Sequence, residues 1–281
     1  MAGKLYLCAT PIGNLDDITA RVLETLQNVD VIAAEDTRNS IKLLNHYHIK
    51  VPMTSYHEFN KIEKAANLIR QMQDGKDIAL ITDAGTPAIS DPGEVLVRMC
   101  YEADIMVTSL PGAAACITAL TLSGLSTRRF CFEGFLPAEK KVKKDILDDL
   151  KEESRTIIIY EAPHHLLRTL QDIYHTLGDR KITICRELTK KFETILPTTL
   201  EKALKMYEKE EPRGEYVLVI EGKSLDDRKK ENINSWQEMS IEQHMEFYEK
   251  DSVDHKEAMR LVAKDRGITK REVYQYLIKN C

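Results

Sequence analysis

The sequence is poor in the features that mark several classes of protein. Its six cysteines are scattered, with no CxxC pair and no Cys/His cluster, which argues against a structural zinc site or a disulfide framework and favours a reducing compartment. No run approaches the roughly 18 apolar residues of a membrane span, and the apolar start is too short and too soon followed by charge for a signal peptide. We therefore expect a cytoplasmic protein with neither a membrane partner nor a bound metal.

The chain also lacks an excess of positive charge. Its 40 Lys and Arg against 45 Asp and Glu give a net charge of −5. This balance excludes a uniformly basic nucleic-acid coat protein but allows a local basic face on an acidic body. With 281 residues, 43% of them hydrophobic, the chain is long enough for two domains with a substantial core.

Two common phosphate-binding motifs are missing as well. The sequence has no GxxxxGK[ST] run and no GxGxxG turn, so neither a Walker lysine nor a Rossmann turn is available to hold a nucleotide's phosphates. The turn-rich loops are instead small, stiffened by proline and uncharged at their tips. They suit a ligand with a polar but not strongly anionic middle.

Strand-length apolar runs alternate with helix-like stretches over most of the chain. In the first half the predicted strands are 5–9, 31–34, 78–82 and 105–110, and the predicted helices are 20–26, 41–47, 62–72 and 95–100. A second series has strands at 130–135, 156–160, 181–185 and 216–220, with helices at 142–150, 165–177 and 200–207. The first series predicts a largely parallel sheet, and the second predicts another α/β domain.

We therefore predict an α/β protein of three parts. An N-terminal α/β domain occupies 1–112 and a second α/β domain 113–222. A helical C-terminal extension, with a role in RNA binding or in packing, occupies 223–281. Four turn-rich loops directly follow strands of the first domain, at 9–14, 35–38, 83–87 and 110–113. Because ligands bind outside the carboxyl ends of parallel strands, these loops predict a binding cleft.

Seven segments together resemble the tetrapyrrole methylase superfamily, whose members bind S-adenosylmethionine between two α/β domains. They are 9–19, 34–38, 83–93, 111–115, 132–137, 160–164 and 213–216. Within the superfamily the match is to the branch that methylates ribosomal RNA. The resemblance implies a homodimer that methylates the ribose 2'-hydroxyl of a cytidine in small-subunit (16S) ribosomal RNA, either free or in the small ribosomal subunit.

The resemblance also implies a donor site in the crevice between the two domains. The implied donor-binding residues are Pro11, Gly13, Gly85, Thr86, Ile89, Ala114, Ala115, Tyr160, Leu188 and Gly214. Thr86 departs from the family pattern, since many relatives have aspartate there. The small-residue helix 113–122 has a second interpretation, as a close-packing device.

Methyl transfer from a sulfonium to a ribose hydroxyl needs alignment and a proton acceptor, and no metal. The segment 35–38 offers two carboxylates and a guanidinium at a strand's end. Our first hypothesis for catalysis is that Glu35 or Asp36 accepts the proton while Arg38 binds a phosphate. The alternative is an Arg–carboxylate pair with a helix N-cap formed by Asp36 or Thr37.

Substrate contacts are predicted from polar, aromatic and basic residues in both domains and in the extension. His57 and Asn60 belong to a polar and aromatic cluster at 55–60 that could hold a splayed base. The basic candidates are Lys140, Lys141, Lys190, Lys270 and Arg271. Ordinary surface histidines and solvated charges are the alternative for all of them.

The extension is neutral as a whole, with twelve basic and twelve acidic residues over 223–281, but 252–281 carries seven basic and four acidic residues. Its spacing predicts helices at 254–264 and 269–279, the second begun by a capping box of Thr269 and Glu272. The pair resembles a helix-turn-helix in outline. The alternative is a packing hairpin or a dimerisation arm.

Two other functions remain open at this point. One is C-methylation of a tetrapyrrole precursor, a polyanion that the basic residues would also suit. The other is a non-catalytic RNA assembly factor that binds the methyl donor but transfers no methyl group.

Overall fold

The computed structural model describes residues 2–224, 236, 239–250 and 253–279. The chain divides into two compact units, Met1–Glu221 and Gly222–Cys281. The first unit contains two five-stranded sheets, and the second is helical. The α/β class is confirmed.

The first sheet is entirely parallel, as its alternating pattern predicts. Its strands are β1 (Leu5–Cys8), β2 (Val31–Ala34), β3 (Met53–Ser55), β4 (Ile78–Ile81) and β5 (Val107–Leu110), in the order β3-β2-β4-β1-β5. The helices are α1 (Ala20–Asn28), α2 (Thr37–His46), α3 (Lys61–Gln73), α4 (Gly93–Glu102) and α5 (Ala115–Leu122). Strand β3 escaped prediction because it has only three residues, all half-buried, and follows a proline.

The second sheet is mixed. Its strands are β6 (Phe130–Phe135), β7 (Thr156–Glu161), β8 (Lys181–Arg186), β9 (Thr194–Thr199) and β10 (Tyr216–Ile220), in the order β6-β7-β10-β8-β9. Only β6 and β7 run parallel; the other neighbours are antiparallel. The helices are α6 (Lys140–Lys151), α7 (Leu166–Leu177) and α8 (Leu200–Tyr207). Strand β9 also escaped prediction: it is an edge strand that contains Pro197, which edge positions tolerate.

Both faces of the second sheet are buried, and one of them meets the first domain's loops. Ile157 and Ile159 face a core completed by α6, α7 and α8, while Ile158 faces the other side. There it packs with Cys116 of α5 and with Ile12 from the loop after β1. Packing through α5 and Ile12 therefore holds the first-sheet loops against the second sheet.

The second unit contains three described helices, α9 (Ile241–Lys250), α10 (His255–Arg266) and α11 (Lys270–Lys279). The predicted capping box is confirmed: the Thr269 backbone N–H donates to Glu272 Oε2 over 2.7 Å, and the Glu272 N–H donates to Thr269 Oγ1 over 3.3 Å. The side chain of His244 is fully buried and stacks on Trp236. Burial, with the Arg266 guanidinium beside it, lowers the pKa of His244.

Three features of the structure bear on membrane spans, metal sites and disulfides. No helix in the described ranges is long and apolar enough to cross a membrane. Within the same ranges no three His, Cys, Asp or Glu side chains gather as metal ligands. Cys8, Cys100, Cys116, Cys131 and Cys185 carry free thiols, and Cys281 lies outside the described residues.

Candidate active site

The loops that follow the first-sheet strands meet at one edge of that sheet, as predicted. Thr10 and Gly85 form an antiparallel bridge, with N···O distances of 2.9 and 3.1 Å. The Asp36 N–H donates to Asp83 Oδ1 over 3.2 Å, which joins the loops after β2 and β4. Thr86 Oγ1 donates to the Ala113 carbonyl over 2.9 Å. All four loops are therefore linked through the segment that follows β4.

A cavity of about 450 Å³, which we call the central cavity, lies where these loops face the second sheet. Seven of the ten predicted donor-binding residues line it: Gly85, Thr86, Ile89, Ala114, Ala115, Tyr160 and Leu188. Pro11 and Gly13 instead line an adjoining groove. Gly214 lines neither space; its Cα faces the Glu187 side chain, which a Cβ would approach to 2.6 Å.

The central cavity is acidic. Five carboxylate residues line it, and among the described residues no Lys, Arg or His does. They are Glu35, Asp83, Asp91, Glu161 and Glu215. Its remaining walls include Ile12, Phe135 and Val217. Carboxylates attract a positively charged ligand at short range, and the apolar walls suit a flat ring. S-adenosylmethionine, which has a sulfonium, an ammonium and an adenine, fits this lining.

Asp91 organises the loop that forms one wall of the central cavity. Its Oδ1 accepts from the N–H groups of Ala88 and Gly93 over 3.0 and 2.8 Å, and its Oδ2 accepts from the Ile89 N–H over 3.2 Å. Ala88 and Ser90 have φ values of 68° and 64°, a left-handed conformation that costs about 1–2 kcal/mol per residue. The carboxylate therefore holds a strained loop in place.

Replacing Asp91 by alanine is expected to weaken donor binding by about tenfold to a hundredfold. The variant loses three hydrogen bonds, each worth about 1 kcal/mol or more, so the ordered form of the loop becomes less populated. Titration calorimetry with S-adenosylmethionine measures the effect. Asp91→Asn is the matched control, because its amide oxygen can still accept from Ala88 and Gly93. Equal affinity of the alanine variant and the wild type would contradict this role.

Glu35, Asp36 and Arg38 lie together after β2 but differ in surroundings. Glu35 is half-buried in the cavity wall, and its Oε2 accepts from Thr82 Oγ1 over 2.6 Å. Asp36 caps α2 by accepting from the Arg38 N–H, and it also binds the exposed Arg38 guanidinium at 2.8 Å. Hydrogen bonds from Arg38 lower the pKa of Asp36 to about 2. Asp36 is therefore a poor proton acceptor.

Lys190 lies in the loop between β8 and β9. Its Nζ lies 3.0 Å from Glu187 Oε1 and 2.9 Å from Glu215 Oε2. Desolvation opposes ionisation of Glu187, but the Glu215 N–H and Lys190 outweigh it and lower its pKa. Thr189 Oγ1 accepts from the Asn14 N–H over 3.0 Å. The loops after β1 and β8 are thus joined beside the cavity.

Tyr160 links the second sheet to the start of α5. Its hydroxyl accepts from the Cys116 N–H over 3.0 Å, and its ring packs edge-on against Phe132 and Phe135. Burial raises the pKa of Tyr160. The hydroxyl satisfies one of the free N–H groups of α5, which holds Ala114 and Ala115 in the cavity wall.

The other predicted substrate residues lie outside the central cavity. His57 and Asn60 contact each other in the loop after β3, where Asn60 Oδ1 accepts from the His57 N–H over 2.9 Å. Lys140 and Lys141 are exposed at the start of α6. In the second unit, Lys270 Nζ donates to the Lys256 carbonyl over 2.9 Å and Arg271 is exposed, both at the start of α11.

Sequence reasoning missed part of the site's surroundings. It did not single out one face of α2, which lines the adjoining groove with Asn39, Lys42, Leu43 and His46. The signal was available: these positions recur every three or four residues, directly after the Glu35–Arg38 segment.

Comparisons with known proteins agree with this fold. Residues 4–204 match the family model described as tetrapyrrole (corrin/porphyrin) methylases. The structure resembles that of uroporphyrin-III-C-methyltransferase from Thermus thermophilus, with a TM-score of 0.56 and 17% identity, over 77% of this chain and 94% of that one. The chain belongs to the tetrapyrrole methylase family, and it is a methyltransferase whose donor is S-adenosylmethionine.

Proteins with similar sequences indicate which branch of that family the chain resembles. A Haemophilus influenzae protein named ribosomal RNA small subunit methyltransferase I is 49% identical over 280 residues, covering 98% of this chain and 96% of the relative. A Bacillus subtilis protein of the same name is 45% identical over 278 residues, covering 99% and 95%.

Proposed function

We propose that this protein transfers a methyl group from S-adenosylmethionine to the ribose 2'-hydroxyl of a cytidine in small-subunit ribosomal RNA. The observation that carries the proposal is an acidic central cavity with the half-buried Glu35 in its wall. The names of the similar proteins support the RNA substrate.

For methyl transfer to a ribose hydroxyl, the protein has to align the two reactants and to remove the hydroxyl proton. Bound in the central cavity, S-adenosylmethionine supplies a methyl group already activated by the sulfonium. Glu35 accepts the hydroxyl proton at Oε1, while Thr82 holds Oε2 over 2.6 Å and so fixes the carboxylate's direction. Asp83 accepts from the Asp36 N–H and from Asn39 Nδ2 over 3.2 and 3.1 Å, which fixes the start of α2. Such alignment can supply about 7–11 kcal/mol of the barrier.

The donor contacts extend beyond the cavity's lining residues. Pro11, Gly13 and Gly214 act by shaping the loops around it, and Asp36 and Arg38 act at the start of α2. Arg38, exposed over 88% of its side chain, binds a phosphate of the RNA.

The remaining predicted site residues bind the RNA. His57 and Asn60 present a polar edge beside Phe59, whose ring is 96% exposed and free to stack on a base. Lys190, Lys140 and Lys141 add positive charge, and Lys270 and Arg271 let the helical extension contact the RNA. The proposal includes a cytoplasmic homodimer with the domain division 1–112, 113–222 and 223–281.

A transfer assay tests the proposal. The protein is incubated with labelled donor and, in separate reactions, small subunits from cells without this modification, naked small-subunit RNA, or tetrapyrrole precursors. Digestion to nucleosides then identifies the product. We expect label in 2'-O-methylcytidine from one of the RNA substrates. Label on a tetrapyrrole carbon, or donor binding without transfer to any substrate, would overturn the proposal.

A further inference from the structure

A groove continues from the central cavity along helix α2. A space of about 530 Å³ shares five wall residues with the central cavity: Ile12, Thr82, Asp83, Ala84 and Glu215. It continues into a more open space of about 600 Å³, with which it shares Gly13, Leu15, His46 and Lys190. We call these two spaces together the α2 groove.

The charge of the lining differs between the central cavity and the α2 groove. Lys42, His46, Lys190 and Lys191 line the α2 groove, whereas none of the basic residues that the structure describes lines the central cavity. Lys190 is already paired with Glu187 and Glu215. Lys42 and Lys191 are exposed and form no ion pair within the described part of the chain; Lys191 Nζ lies 5.6 Å from the centroid of the Phe192 ring. Two lysines are thus free to bind an anion.

The groove's three carboxylates are already engaged or lie apart from the central cavity. Asp83 already accepts from the Asp36 N–H and from Asn39, and Glu215 is paired with Lys190. Asp16, in the outer space, is the remaining carboxylate of the lining. With three lysines and three carboxylates the groove lining is neutral overall, so an anionic ligand meets far less repulsion there than beside the five carboxylates of the central cavity.

Hydrogen bonds hold the walls of the groove together. Tyr47 follows α2, and its hydroxyl donates to the Leu15 carbonyl over 2.6 Å. The Asn14 N–H donates to Thr189 Oγ1 over 3.0 Å, which brings Lys191 to the same opening. These bonds fix α2 and the loop after β8 against the loop after β1, so the backbone that carries both lysines is held in place.

We propose that the α2 groove binds the backbone phosphates of single-stranded RNA next to the target nucleotide, with Lys42 and Lys191 as the phosphate contacts. The inference rests on the proposed function. The target ribose then enters at the wall shared with the central cavity, where Thr82 holds Glu35. RNA suits the groove because it offers regularly spaced anions and a sugar that reaches the acidic cavity.

The test compares two double variants. Lys42→Ala/Lys191→Ala removes the proposed contacts. Lys50→Ala/Lys76→Ala is the control; it removes the same charge from two exposed lysines that precede β3 and β4, at the opposite edge of the first sheet. Binding of a labelled single-stranded RNA that contains the target site is measured from 50 to 300 mM salt, together with methyl-transfer kinetics and donor affinity.

We expect the groove variant to lose about 1.4 from the slope of log K against log salt, or about 0.7 per phosphate contact. That change corresponds to KM for the RNA rising about tenfold near 0.15 M salt. The kcat at saturating RNA and the donor affinity stay at wild-type values, and the control variant keeps the wild-type slope and KM.

The outcomes separate the inference from the proposed function. If the wild type methylates the RNA but both double variants behave alike, the groove assignment is wrong and the function stands. If the wild type transfers no methyl group to any RNA, the function fails and the inference fails with it. A groove variant that loses affinity for a second copy of the chain, with unchanged RNA binding, would show a protein interface and overturn the proposal.

Discussion

Replacing Glu35 by glutamine is expected to lower kcat for methyl transfer by about a hundredfold to ten-thousandfold, the usual contribution of a positioned proton acceptor. Glutamine has nearly the same shape and can still accept from Thr82 Oγ1, which lies 2.6 Å from Glu35 Oε2. The loss therefore reports on proton acceptance, not on packing. Single-turnover kinetics with donor and RNA both saturating measure it.

Two further measurements make this prediction specific. Donor affinity of the Glu35→Gln variant should change by less than about threefold, since one of five cavity carboxylates is neutralised and none of the walls moves. Asp36→Asn is the comparison, because Arg38 already holds the pKa of Asp36 at about 2, which makes that carboxylate a weak base. If Asp36→Asn abolishes transfer while Glu35→Gln leaves kcat intact, the roles of the two carboxylates are reversed.

The parts of the fold that follow from local patterns could be predicted from the sequence. Strands with long apolar runs, such as Ile78–Ile81 and Thr156–Glu161, were found at nearly the observed bounds. Strands β3 and β9 lack such runs, because both lie at a sheet edge, where none of their residues is fully buried. Strand β10 pairs antiparallel with both β7 and β8. This pairing joins segments that are far apart in the sequence, and the spacing of apolar residues does not reveal it.

Some features of the candidate site could likewise be predicted from the sequence, and others could not. The turn-rich loops after strands, such as 83–87, could be found from the sequence pattern, and the family resemblance then implied Gly85 and Thr86 as donor contacts. The carboxylate lining could not, since Glu35, Glu161 and Glu215 come from three separate strand ends that only the packed sheets bring together. The Asp36–Arg38 pair and the N-cap proposed as an alternative are both present. A cap and a phosphate contact are compatible roles for adjacent residues.

Replacing Gly13 by alanine is expected to lower kcat/KM by about a hundredfold with little loss of overall stability. A Cβ there would lie 2.4 Å from Lys190 Cγ, 2.7 Å from Thr189 Oγ1 and 2.8 Å from the Leu188 carbonyl oxygen. The lysine side chain can move aside, but the backbone oxygen cannot without shifting the loop. That shift displaces Leu188 in the central cavity, and a displacement of about 1 Å near the reacting groups costs roughly a hundredfold.

Gly124→Ala is the matched control for this substitution. Gly124 has a φ of 69°, and no atom lies within 4 Å of an added Cβ. Alanine there costs about 1–2 kcal/mol in backbone strain and should leave transfer unchanged. Thermal unfolding, donor titration and kcat/KM on both variants separate the two effects. We expect Gly13→Ala to weaken donor binding and transfer together, because Leu188 and Lys190 lie in one loop, and to unfold near the wild-type temperature. Transfer by Gly13→Ala at the rate of Gly124→Ala would mean that contact between the loops after β1 and β8 does not align the donor with its acceptor.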